Sequence, residues 1–158
     1  MLDLCDRVRT NTDADINSKI DRQIEANIRF YSTQPHETLN HRIRELDEEW
    51  DIERFIITQA SSLALTGLTL GLVKNRKWFA LSGFVLPFLL MHGVQGWCPP
   101  VPVLRRLGFR TRGEIDCEKF AIKALRGDFD TISPPGAAEA DKMPRAAEVL
   151  EAVGGSYT

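Results

Sequence analysis

Cys98 is the side chain best placed to do covalent chemistry. It stands in Gly96-Trp97-Cys98-Pro99-Pro100, a short distance before Arg105 and Arg106. Positive charge near a thiol favours the thiolate, the form that attacks and carries sulfur. A thiol-dependent role in sulfur handling or transport is therefore one reading of Cys98; inert packing among apolar neighbours is the other. His92 is the second candidate, the one strongly titratable side chain within either apolar run, 55–73 or 78–97. If the two halves of that stretch pair antiparallel about Asn75 and Arg76, His92 lies level with Gln59, and Ser61 and Ser62 are less than a turn away. The expected His92–Gln59 pair is either a structural hydrogen bond or an intramembrane proton relay. The third feature is Gly67-x-x-x-Gly71, whose small residues leave a flat helix face for close packing. That face suits the neighbouring helix at Ala80 and Gly83 first, and a second copy of the chain as the alternative.

Little else could react. The three cysteines, Cys5, Cys98 and Cys117, are an odd number without C-x-x-C spacing, which argues against a disulfide framework and a zinc site. There is no phosphate-cradling glycine loop, no H-E-x-x-H and no nucleophile elbow. The basic segment after Trp97 lacks the interleaved aromatic residues of a single-strand nucleic-acid binder. The expectation is a protein without catalytic residues, bound metal, cofactor or nucleic-acid partner.

The elements that must position these residues are two apolar runs, 55–73 and 78–97, split by Lys74-Asn75-Arg76-Lys77. As helices at ~1.5 Å per residue, each is ~30 Å long, the thickness of a bilayer's hydrocarbon core. Trp78 and Trp97 bracket the second run, where interfacial aromatic belts lie. Neither run contains Asp, Glu, Lys or Arg, although the first carries Thr58, Gln59, Ser61, Ser62, Thr66 and Thr69. A connection this short makes the helices antiparallel. The predicted fold is all-α, an antiparallel transmembrane hairpin with amphipathic cytoplasmic helices before and after it. Seven arginines near the outer ends of the hairpin, against three basic residues in its loop, place both termini in the cytoplasm. Pro87 interrupts the hydrogen-bond ladder of the second helix and predicts a kink.

The flanks divide by charge. Up to Phe55 there are thirteen acidic and eight basic side chains; from Cys98 to Arg126 there are three acidic and seven basic. Residues 1–12 are expected to be disordered. The arm 13–54 reads as helical, with Ile16, Ile20, Ile24 and Ile28 at helical spacing and a break near 32–35, at Pro35. Leu39, Ile43, Leu46 and Trp50 form its second apolar stripe. After the C-P-P segment, 98–129, the pattern Thr111-x-x-Glu114 predicts a capping box that opens a helix, and Gly127 its stop. Residues 130–158 read as a flexible tail. The stripe on the arm and Ile115, Ile122 and Leu125 are expected to pack into a small cap. Apolar burial should supply most of its energy, with Trp50 central and exposed ion pairs adding little.

Gly96-Trp97-Cys98-Pro99-Pro100, running into Leu104-Arg105-Arg106-Leu107-Gly108, resembles the YgaP-like transmembrane domain family of bacterial inner membranes. The lead-in Glu48-Glu49-Trp50-Asp51-Ile52-Glu53-Arg54 and the run from Glu114 to Phe129 are similar to its stand-alone members. In other members this domain anchors a rhodanese, but nothing here resembles that strand-rich, cysteine-centred domain. The resemblance implies a multi-pass bacterial inner-membrane protein and carries no activity with it. The function expected is a non-enzymatic scaffold or accessory protein, partnered by the bilayer and by a second copy or another protein. The alternative is the thiol role of Cys98.

Overall fold

The structure, a computed structural model, describes residues 6–130. Expectations for residues 1–5 and 131–158 concern positions outside that range. Among the described residues the chain is helical throughout, without strands. The helices are α1 (Arg7–Thr10), α2 (Ala14–Tyr31), α3 (His36–Glu48), α4 (Ile52–Val73), α5 (Phe79–Gln95), α6 (Val101–Arg106) and α7 (Arg112–Arg126). A 3-10 turn, Arg76–Trp78, leads into α5.

α4, and α5 together with the 3-10 turn before it, are by length and composition apolar enough to cross a membrane. The 22 residues of α4 make a rod of ~33 Å. The two helices pack closely because Gly67 and Gly71 present no side chain. A Cβ on Gly67 would stand 2.9 Å from the backbone nitrogen of Ser82, and one on Gly71 would stand 2.8 Å from the Phe79 ring. Ser82 Oγ donates to the carbonyl of Ala64 at 2.7 Å, a direct hydrogen bond between the helices. The hydroxyls of Ser62, Thr66 and Thr69 donate to the carbonyls four residues back, at 2.7, 2.7 and 2.8 Å. The polarity of the first run is thus partly absorbed within its own helix, as an apolar surrounding demands. The outer faces expose large apolar side chains, Leu65, Leu72, Val73, Phe84, Leu90 and Val94 among them, together with Thr58, Gln59 and Ser61 on α4.

The remaining helices gather at the other end of α4 and α5 as a cap. In one cluster Leu39, Ile43 and Leu46 of α3 bury against Ile115 and Ile122 of α7, with Tyr31 alongside. In a second, Val8, Cys98, Val101 and Leu104 close around Ile52 and Ile56 of α4. Phe55 and Phe109 join it, with ring centroids 5.0 Å apart. A backbone hydrogen bond from Ile52 to the carbonyl of Arg110, 2.9 Å, ties the start of α4 to the chain after α6. The capping box forms: Thr111 accepts from the N–H of Glu114, and Glu114 accepts from the N–H of Thr111.

Two expectations about the flanks are corrected. Within the segment 1–12, residues 7–10 form α1 rather than a disordered stretch. Asp6 caps it by accepting from the N–H groups of Val8 and Arg9. The physical reason is long-range: Arg7 donates to the carbonyls of Gly93 and Val94 at 2.8 and 3.3 Å, and Asn11 to that of Gln95 at 2.8 Å. α1 therefore satisfies carbonyls that the end of α5 leaves open. Gly96 permits this approach, with φ +72° and a position where a Cβ would stand 2.6 Å from Arg7 Cβ. Trp50 is the second correction. α3 stops at Glu48 and the backbone of Glu49 is extended, so the stripe of Leu39, Ile43 and Leu46 does not continue to Trp50. That ring is 45% exposed, with the Arg54 guanidinium 4.6 Å from its centroid. Leu125 is exposed as well.

Candidate functional site

The residues singled out for chemistry converge on the junction between the two apolar helices and the cap, but not on one another. Cys98 is 2% exposed, packed among Ile52, Ile56 and Val101. Burial pushes its thiol above the ordinary value, despite a partly opposing hydrogen bond at Val101. Arg105 does not relieve this, because its guanidinium is committed elsewhere. Cys98 here is a small hydrophobe, and the arrangement favours the thiol over the thiolate.

Gln59 and His92 do not pair. Gln59 is exposed and lines an apolar cleft of about 260 Å³ with Phe55, Leu63, Phe88, Cys98 and Leu104. His92 is buried, its Nδ1 without a hydrogen-bond partner among the described residues. It lines a different recess, of about 410 Å³, with Asp6, Arg7, Glu53, Gly96 and Gly113. Helical register sets the level of a residue along the axis; the angle around the helix, which decides the pairing, depends on which faces meet. Gly67 and Gly71 are both buried against α5, so the small-residue face is occupied within the chain. Gly83, expected opposite them, faces away: a Cβ added there would meet nothing within 4 Å.

What sequence reasoning missed is a buried ion-pair lattice inside the cap. Glu114, fully buried, accepts from Arg105 through both oxygens at 2.6 and 2.7 Å, and from Arg9 and the N–H of Thr111. Arg9 also pairs with Asp21 at 2.9 Å, and Arg105 donates to Asn17 at 2.8 Å. A second node is Glu118, also fully buried, which binds Arg110 and Arg42 and accepts from Asn27 at 3.1 Å. Arg110 reaches on to Glu49, and Lys119 to Asp47. The lattice joins α1, α2, α3, α6 and α7.

Burial by itself would raise the Glu114 carboxyl. The hydrogen bonds from Arg105, Thr111 and Arg9 outweigh it and hold the group below the usual carboxylate range. Deleting one partner of such a buried pair strands the other, at ~3–5 kcal/mol. The cap charges are thus structural and directional, contrary to the expectation of weak exposed pairs. The excess of acid before the apolar helices and of base after them was the visible signal; that these particular charges meet out of water was not.

Among the described residues no group of three or more His, Cys, Asp or Glu side chains could hold a metal ion. The junction offers two recesses and a rigid support, with no nucleophile beside a base. No family model, curated protein or solved structure matches the chain.

Proposed function

We propose that the chain is a non-enzymatic scaffold or accessory protein of the bacterial inner membrane. In this reading α4 and α5 form an antiparallel transmembrane hairpin, both termini are cytoplasmic, and the amphipathic helices of the cap stand at the membrane surface. The resemblance of residues 96–108 to the YgaP-like transmembrane domain family supports the same placement. One observation carries the reading: two long apolar helices expose large hydrocarbon side chains, while the hydroxyls of Ser62, Thr66, Thr69 and Ser82 bond to carbonyls of α4. The core helices of a soluble protein would bury those faces; lipid covers them here. The cap, stiffened by ion pairs and free of a catalytic constellation, is suited to holding a surface in fixed orientation for a partner or a second copy.

The test is topological. In a background with Cys5, Cys98 and Cys117 changed to serine, single cysteines at Asn75 and Glu37 should label from opposite sides of the inner membrane. The protein should also resist extraction by carbonate. Labelling from one side, or full extraction, refutes the hairpin. Photocrosslinkers placed on the cap in intact membranes should then give one discrete adduct; a dispersed smear or none would count against a scaffold.

A further inference from the structure

Helix α6 carries an unassigned surface. Its inner side is buried through Val101, Leu104 and Arg105. Its outer side is not: Val103 is 58% exposed and Leu107, just after the helix, 71%. Residues four apart lie on one helical face, so these two side chains form one apolar edge, next to the exposed Pro99 and Pro100. That edge is continuous with the apolar cleft of α4 and α5, whose lining includes Pro100 and Leu104. Further round the helix comes Arg106, its side chain 70% exposed. It borders a groove of about 310 Å³ between α6 and α2, lined also by Ile16, Lys19, Ile20 and Arg105. Lys19 is exposed and makes no ion pair among the described residues. The Nε–H of Arg105, on the inner wall, is buried without an acceptor. The nearby counter-charges are exposed: Asp13 is 3.9 Å from Arg106, and Asp15 lies one turn before Lys19 on α2.

We propose that this surface is an interfacial ledge that binds an anionic phospholipid. Val103 and Leu107 enter the boundary of the acyl region, and Lys19 and Arg106 engage the headgroup phosphate. The inference rests on the membrane reading above, which sets α6 directly after the membrane exit. An apolar edge continuous with the lipid-facing helices, flanked by the exposed Lys19 and by Arg106 with its long, exposed pair to Asp13, is the arrangement an amphipathic interfacial segment uses. Basic groups at an anionic surface each contribute enough that two favour anionic over zwitterionic lipid by up to roughly 30-fold.

The experiment uses the full chain reconstituted in nanodiscs of mixed phosphatidylcholine and phosphatidylglycerol, then released in mild detergent. Retained lipids are counted by native mass spectrometry. Phosphatidylglycerol should be retained by up to roughly 30-fold over its share of the mixture. K19E/R106E should abolish the preference with helicity unchanged, and D13N should maintain or raise it, since Asp13 makes no capping bond. If K19E/R106E fails to fold, the unmodified chain is measured in ~1 M salt, where the Debye length is ~3 Å and the preference should collapse. Equal retention of the two lipids, or a preference indifferent to both the substitutions and salt, overturns the proposal. Displacement by inorganic phosphate at an ionic strength where chloride leaves the lipid bound overturns lipid as the occupant. A chain that inserts into nanodiscs without lipid preference refutes only the ledge, whereas one that does not insert refutes the membrane reading itself.

Discussion

Replacing Glu114 by glutamine tests whether buried charge, more than apolar contact, holds the helices of the cap together. The substitution keeps the shape of the side chain and removes its charge. Arg105 would lose a bidentate carboxylate and keep only the side-chain carbonyl of Asn17 and the backbone carbonyl of Phe109. Arg9 would lose the Glu114 carboxylate and keep its pair with Asp21. An uncompensated buried cation costs ~3–5 kcal/mol, and the amide recovers a part of that through one hydrogen bond. A net loss of ~3 kcal/mol raises the population of the locally open cap by a factor of ~150. Amide hydrogen exchange of α7 in micelles, at Ile115 and Ile122, should speed up by about that factor. Arg112→Ala, which breaks an exposed pair with Asp116, should change exchange less than about threefold. The pH dependence has a definite sign. Because the Glu114 carboxyl is held low in the folded cap, its stabilisation is fully present above the unfolded carboxylate value of ~4.3. It is lost as pH falls through the lower folded value. Protection in the unmodified chain should therefore decline in that acidic window, and the Glu114→Gln variant should show a shallower decline. If exchange in the variant changes less than about fivefold at neutral pH, the lattice is not what holds the cap.

Three further outcomes follow from particular contacts. Gly67→Leu should lower the melting temperature in detergent, because a side chain there must displace the backbone of Ser82, whereas Gly83→Ala should be neutral or stabilise by up to ~1 kcal/mol. Equal effects at the two positions would mean that α4 and α5 do not meet on the glycine face. Cys98→Ser should leave insertion and folding intact, and in the unmodified chain maleimide should label the half-buried Cys117 before Cys98, as mass spectrometry of the peptides would show; fast labelling of Cys98 would restore its thiol chemistry to contention. Trp50→Ala should cost ~0.5–1 kcal/mol, the worth of its exposed contact with Arg54, measured by limited proteolysis of the cap. A loss of ~3 kcal/mol would place that ring in the core after all.

The features legible in the sequence are those decided within a turn or two of helix. The length and composition of 55–73 and 78–97 determine that two long apolar helices form, because each helical backbone satisfies its own hydrogen bonds. Thr111 and Glu114 form the capping box and Gly127 the left-handed stop, since both depend on residues three or four apart. Pro35 likewise opens α3 where no preceding turn can claim its missing N–H. Tertiary structure alone decided which faces and charges meet. His92 and Gln59 share a level yet line separate recesses, because angular position follows from packing. Arg9 and Glu114 are 105 positions apart and meet in the cap interior. Along the chain, a charge that will be buried and one that will stay in water look the same. Desolvation separates them, and it acts only once the helices have closed around the site.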